Sequence, residues 1–287
     1  MVMKTFSRVF VQAAVVMGLC ACSPLHMFNA LVPKDGGGGR IATFSYGPDA
    51  RQQMDLYRPT HASGSALPVI VFIYGGSWDS GDRRGYAFVG KALAAKGFLV
   101  AIPDYRLVPD VHYPAFLEDN AAAVRWVAAH APDYGGQAGR LVLVGHSAGA
   151  YNAAMLALDP RWLGADRKVV RGFVGLAGPY DFAPFVDKAV QNAFAGVVDE
   201  ASTQPIHYAR ADSPPALLAT GDRDTVVRPR NSDALAEALR AQGVPVERLT
   251  YPRVGHAGLI TAFAVPLRGK ADILEQTDRF ARARLAP

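Results

Sequence analysis

Cysteine is nearly absent from this chain. Its 287 residues include two, Cys20 and Cys22, both at the start. The body can therefore hold neither a disulfide framework nor a cysteine metal site. Charge of one sign is also scarce. The formal net charge is +5; Lys4 and Arg8 lie in a leading segment without Asp or Glu, and taking those two away leaves +3. No basic run or aromatic-interleaved stripe accompanies this weak excess, which argues against a nucleic-acid partner. No metal-ligand cluster, dinucleotide fingerprint or phosphate loop occurs, so neither a metal nor another cofactor is expected. Internal repeats are missing, and the one low-complexity piece is Gly36–Gly39.

The longest leading apolar stretch, Val9–Leu19, is too short to span a bilayer comfortably. Preceded by Lys4 and Arg8, it reads as an export signal and not as part of the fold. Leu19-Cys20-Ala21-Cys22 resembles a bacterial lipobox. That resemblance implies cleavage between Ala21 and Cys22 and acylation of Cys22. Ser23, where an aspartate would favour inner-membrane retention, implies sorting to the outer membrane of a bacterial envelope. An ordinary secretory signal or an uncleaved anchor is the alternative. The expected organisation is a signal peptide over 1–21, a flexible glycine-rich tether over 22–40, and one folded domain over 41–287.

Half of the residues are hydrophobic, enough for a sizeable core. Strand and helix signals alternate along 41–287, which predicts a mostly parallel sheet with helices on both faces. Strands are expected at 42–46, 53–57, 68–74, 98–102, 141–144, 172–177, 215–219 and 246–251. Helices are expected at 84–96, 114–131, 148–158, 232–242 and 267–285. Residues 181–212 have no period and are rich in Phe, Pro and Ala. They follow a strand on the side where ligands bind in such sheets, and read as a small cap or a long loop.

The informative stretch is Leu141-Val-Leu-Val-Gly-His-Ser-Ala-Gly149. A buried strand runs into G-x-S-x-G, and a small-residue helix follows. This is the context of a nucleophile elbow, in which a serine, here Ser147, sits on a sharp strand-to-helix turn. A serine hydroxyl needs a base in reach, and the base needs a third group to fix its tautomer. In chain order the acid and then the histidine should follow the serine. Of seven histidines, only His256 sits just past the last predicted strand, in a glycine-flanked loop that could project it. His146, beside the serine, is expected to point away. The acid should lie in Gly221-Asp-Arg-Asp-Thr-Val-Val227; Asp222 reads as a turn residue and Asp224 as the partner of His256. Backbone donors for a developing oxyanion are expected from Ala148 and from Gly76 and Ser77 in Tyr74-Gly-Gly-Ser-Trp78.

Taken in order, Tyr74-Gly-Gly-Ser-Trp78, Asp104-Tyr-Arg-Leu107, the Glu118-Asp119 helix, the elbow, Gly221-x-x-Asp224 and Gly255-His256 resemble the α/β-hydrolase carboxylesterases of the hormone-sensitive-lipase-like type. The similarity is closer to the branch with an HGGxW loop, which includes feruloyl-esterase-like and kynurenine-formamidase-like enzymes. The resemblance implies an α/β-hydrolase fold with an eight-stranded sheet. It further implies serine hydrolysis of short-chain or aryl carboxylic esters, a small-molecule ester as partner, and no cofactor. Tyr74 departs from the pattern by replacing the family's histidine. Asp104 and Asp119 read as loop anchors. An arylformamidase or small peptidase with the same triad, and a non-catalytic envelope lipoprotein on this scaffold, are the competing expectations.

Overall fold

A computed structural model describes residues 24–62 and 66–286. Its centre is one sheet of eight strands: β1 (Gly38–Ser45), β2 (Gln53–Pro59), β3 (Val69–Ile73), β4 (Leu99–Pro103), β5 (Leu141–His146), β6 (Val170–Leu176), β7 (Ala216–Gly221) and β8 (Val246–Tyr251). The spatial order is β1-β2-β4-β3-β5-β6-β7-β8. β2 runs antiparallel to both β1 and β4, and the pairs from β4 to β8 are parallel. Every residue of β3, β4, β5 and β7 is buried. This is why these strands read as continuous apolar runs: helices cover both faces. The edge strand β1 alternates in exposure instead.

Between the strands lie α1 (Pro24–Leu31), α2 (Ala87–Ala95), α3 (Ala115–His130), α4 (Ala148–Leu158), α5 (Pro160–Leu163), α6 (Lys188–Ala193), α7 (Arg230–Ala241), α8 (His256–Thr261) and α9 (Ile273–Leu285). α2 packs on β1, β2 and β4 and touches α9, which covers β5 to β7. α3 and α4 pack together, and α4 and α7 cover the strands from β3 to β8. Since β3 and β5 to β8 are parallel, their carboxyl ends share one rim, and the segments leaving it carry Gly76, Ser77, Ser147, Ala148, Asp224 and His256.

Three expectations need correction. The first concerns the stretch expected to be a flexible tether. Pro24–Leu31 is helix α1, and Gly38 and Gly39 belong to β1. Phe28 meets Phe88 edge to face at 5.2 Å. Asn29 donates to the Arg84 carbonyl and accepts from the Phe88 amide. A Cβ on Gly38 would stand 2.3 Å from the Lys91 carbonyl, so this glycine permits close packing of strand on helix and is not a sign of looseness. Cys22 and the signal segment lie outside the described residues. Among those residues, no helix is long and apolar enough to cross a membrane.

Second, the closing helix begins at Ile273. Residues 265–270 form a tighter 3₁₀ segment, and Ala271 is extended. Third, His256 opens the short helix α8 and is not in a loop. The segment 181–212, expected as a small cap or a long loop, carries short helical turns packed on the body. It holds α6 and two 3₁₀ turns, and Phe194 is buried edge-on against Trp78 at 5.1 Å. The Gln204 carboxamide oxygen accepts from the Phe182 and Ala183 amides, bracing the two ends of the segment against each other.

Candidate active site

The elbow is built from close backbone approach. Ser147 ends β5 with φ 55° and ψ −125°, a conformation rare for a residue with a side chain, and α4 starts immediately after it. A Cβ on Gly145 would lie 2.2 Å from the Gly149 carbonyl oxygen, and one on Gly149 would lie 2.1 Å from the Ile73 oxygen. Both G-x-S-x-G glycines are therefore required by backbone atoms that cannot rotate away. Gly75 is a third such residue: its Cβ would stand 2.7 Å from Ser147 Cβ. The Ser147 amide is spent on the Leu176 carbonyl at 2.9 Å. The Ala148 amide, first in α4, has no acceptor within its helix.

Asp224 and His256 meet as expected. His256 Nδ1 lies 2.8 Å from Asp224 Oδ2, and the Asp224 side chain is fully buried. The other carboxylate oxygen accepts from the amides of Val226 (3.0 Å) and Val227 (2.8 Å). Three donors thus satisfy a buried charge without a cation. Because the carboxylate accepts from Nδ1–H, the lone pair of His256 stays on Nε2. Asp222, the other acid of the loop, accepts from the Arg253 amide at 2.7 Å. It pins the loop that leads into His256, in keeping with a turn residue.

His146 does not point away. Its ring centroid is 4.9 Å from that of His256. His146 Nε2 lies 3.4 Å from the His256 carbonyl; a carbonyl only accepts, so Nε2 carries the proton. Burial, and secondarily the nearby His256, push the His146 pKa well below its usual 6.5 and keep it neutral. This contact places the serine's neighbour directly against the candidate base. Spacing alone could not have found it, since the side-chain direction at this turn follows from the unusual backbone of Ser147.

The loop after β3 is held from beneath. Gly76 has φ 135°, and its carbonyl accepts from the amides of Asp79 and Ser80, both at 3.0 Å. Ser77 and Trp78 follow at φ 49° and 61°. Trp78 is buried; its indole N–H donates to Asn152 at 3.0 Å, and its ring stacks on Phe116. Tyr74, the departure from the family pattern, is fully buried between the rings of Tyr86 and Tyr105. Its hydroxyl donates to Asp104 at 2.9 Å and accepts from Arg51 at 3.0 Å. Asp104 also pairs with Arg83. Asp119 is bound by Arg106 and Gln52. Both acids anchor loops, as the sequence suggested.

Ser77, Ser147 and Ala148 line a cavity of about 480 Å³, walled by apolar side chains including Phe182, Val186 and Val226. Gly76, Asp224 and His256 are not part of its lining. Among the described residues, no cluster of His, Cys, Asp or Glu could hold a metal ion.

The sheet order, the serine elbow and the acid and histidine after β7 and β8 define an α/β-hydrolase. A thermostable esterase from Pseudomonas putida ECU1011 has the same fold, with a TM-score of 0.76 at 23% identity, covering 92% of this chain and 88% of that one. Within that class the chain belongs to the BD-FAE family, whose family model matches residues 54–239. Esterase LipI of Mycobacterium tuberculosis (strain ATCC 25618 / H37Rv) is 33% identical over 257 residues, covering 79% of this chain and 75% of that protein. Esterase LipC of the same organism is 30% identical over 235 residues, covering 74% of this chain and 58% of its own length. The chain thus spans a little under six-tenths of LipC.

Proposed function

We propose that the protein is a serine carboxylesterase acting on short-chain or aryl carboxylic esters through an acyl-enzyme. The observation that carries this is the 2.8 Å Asp224–His256 bond, formed beside the elbow whose serine opens onto the cavity. Ser147 Oγ attacks the ester carbonyl as His256 Nε2 takes its proton. The carbonyl oxygen becomes an oxyanion, received by the amides of Ala148, Ser77 and Gly76. Collapse expels the alcohol, which takes the proton from His256. Water, deprotonated by the same nitrogen, then releases the acid and restores Ser147. Asp224 fixes the tautomer and stabilises the imidazolium. The esterase names of the relatives support the same reading. The test is a panel of 4-nitrophenyl acetate, 4-nitrophenyl butyrate, a formanilide and a peptide anilide, with fluorophosphonate labelling. Ester turnover and label are expected, and both should vanish in Ser147→Ala. Undiminished ester hydrolysis by that variant would refute the assignment, and turnover of the formanilide alone would move it to an amide bond.

We further propose that the mature chain is anchored through acylated Cys22 to the outer membrane. The lipobox and the charged, apolar leader support this. Helix α1 starts two residues after Cys22, a reach of about 7 Å at full extension. It exposes Met27 and Leu31, one turn apart, at 56% and 79%. The anchored body would therefore rest close to the leaflet. Expressed with its leader, the chain should incorporate labelled fatty acid and sediment with outer membranes. Cys22→Ala should abolish labelling; labelling that persists in that variant would exclude this anchor.

A further inference from the structure

The reaction proposed above has no use for two cations in the cavity. Arg228 and Arg230 line it together with Ser77, Ser147 and Ala148. Among the described residues neither guanidinium has a hydrogen bond or an ion pair, whereas Arg248, next to the same helix, is paired with Asp233. The one acid in the lining, Asp187, accepts from the amides of Ala189 and Val190 at the start of α6. Stability does not explain the arginines either. Arg230 opens α7, where the positive end of the helix disfavours a cation.

The segment that bears them is fastened. Asn231 is buried, and its carboxamide oxygen accepts from the amides of Tyr180 and Asp181, both at 2.9 Å. Its nitrogen donates to the Arg228 carbonyl. One side chain thus ties the arginine segment to the segment that follows β6. Val226, Val227, Phe182 and Val186 make much of the remaining lining apolar.

We propose that Arg228 and Arg230 form an anion subsite, and that the preferred substrates are esters carrying a second, ionised carboxylate on their acyl or alcohol part. The apolar wall takes the chain between ester and carboxylate, and the guanidinium groups bind the carboxylate by charge-assisted hydrogen bonds. This rests on the carboxylesterase reading.

The test compares matched pairs by kcat/KM. On the acyl side, 4-nitrophenyl hemiglutarate is set against 4-nitrophenyl valerate. On the alcohol side, 4-acetoxybenzoate is set against 4-acetoxybenzamide. The anionic member of at least one pair should be favoured about tenfold, as expected of a few exposed charge-assisted contacts. The pair that shows this preference identifies the side on which the carboxylate lies. The preference should vanish in R228Q/R230Q, persist in R228K/R230K, and shrink in 0.5 M NaCl. No preference in the wild-type protein, or one untouched by R228Q/R230Q, overturns the proposal. A second measurement separates it from failure of the esterase reading: calorimetric binding of the unreactive amide glutaranilic acid to Ser147→Ala. Arginine-dependent binding of that acid, with no turnover of any ester, would sink the esterase reading and keep the anion subsite. Binding indifferent to both arginines, together with no arginine-dependent preference in either ester pair, would sink the subsite alone.

Discussion

The cavity has two sides of opposite character. On the strand-end side, the functional groups are held by the backbone. Gly75, Gly145 and Gly149 each sit where a Cβ would strike a neighbour at under 3 Å, and Asp224 has its carboxylate filled by three donors. On the outer side, Val186 and Val226 are 83% and 70% exposed, and among the described residues the Arg228 and Arg230 guanidinium groups have no hydrogen bond or ion pair. The first side fixes where the reacting atoms stand. The second is free to vary without disturbing them, and so is where substrate choice can be written.

The sharpest way to break this comparison is at the rigid side. Asp224→Asn keeps an acceptor for the Val226 and Val227 amides but no longer holds His256 in the tautomer with a free Nε2. By analogy with serine proteases, the ester rate should fall about 10⁴-fold with the fold intact. A loss of less than tenfold, at unchanged circular dichroism, would remove Asp224 from the chemistry. Gly149→Ala attacks the geometry instead. Its Cβ would lie 2.1 and 2.4 Å from the carbonyl oxygens of Ile73 and Tyr74, and no rotamer relieves this. Destabilisation of about 3 kcal/mol or more is expected in urea titration. Gly36→Ala, with nothing within 4 Å, should stay within about 0.5 kcal/mol. Equal effects of the two substitutions would contradict the rigid-side account.

How much of this could be read from the residues depends on what kind of signal each part leaves. The buried strands left long apolar runs, and the elbow left its pentapeptide, so the sheet and Ser147, Asp224 and His256 were legible by order alone. The register of β1 was harder. Gly36–Gly39 looks like a linker by composition, but Gly38 is needed because α2 passes within 2.3 Å of where its Cβ would be. Helix α1 was hidden because its eight residues are too few to show a period, and its stability comes from Phe28 and Asn29 docking on residues sixty positions away. His146 and the Asn231 clamp were illegible for the same reason: both are contacts set by the tertiary fold, with no sequence pattern of their own.

His146 extends the rigid side to pH. Its pKa is pushed well below 6.5 by burial, so the folded protein keeps it neutral while the unfolded chain takes up a proton as pH falls below about 6.5. The unfolded state then binds more protons, and stability drops as the pH falls. The contribution is complete above 6.5 and is lost at up to about 1.4 kcal/mol per pH unit towards the depressed value. Between pH 6.5 and 5.5, His146→Gln should therefore lose stability less steeply than the wild type, by about that slope. Parallel slopes in urea titrations would mean that this ring is not held neutral.

The smallest effect is expected on the open side, and it tests the comparison from the other end. Val226 is 70% exposed, and its amide, not its side chain, supports Asp224. Val226→Ser should change unfolding free energy by under about 0.5 kcal/mol. The side chain nonetheless lines the same cavity as Ser147 and the arginines. Losing apolar contact there should raise KM for a butyrate ester severalfold more than for an acetate, with kcat for both little changed, because only uniform binding is removed. A fall in kcat as large as that of Asp224→Asn would mean that the wall also positions the reacting groups. The division between a fixed catalytic side and a variable binding side would then fail.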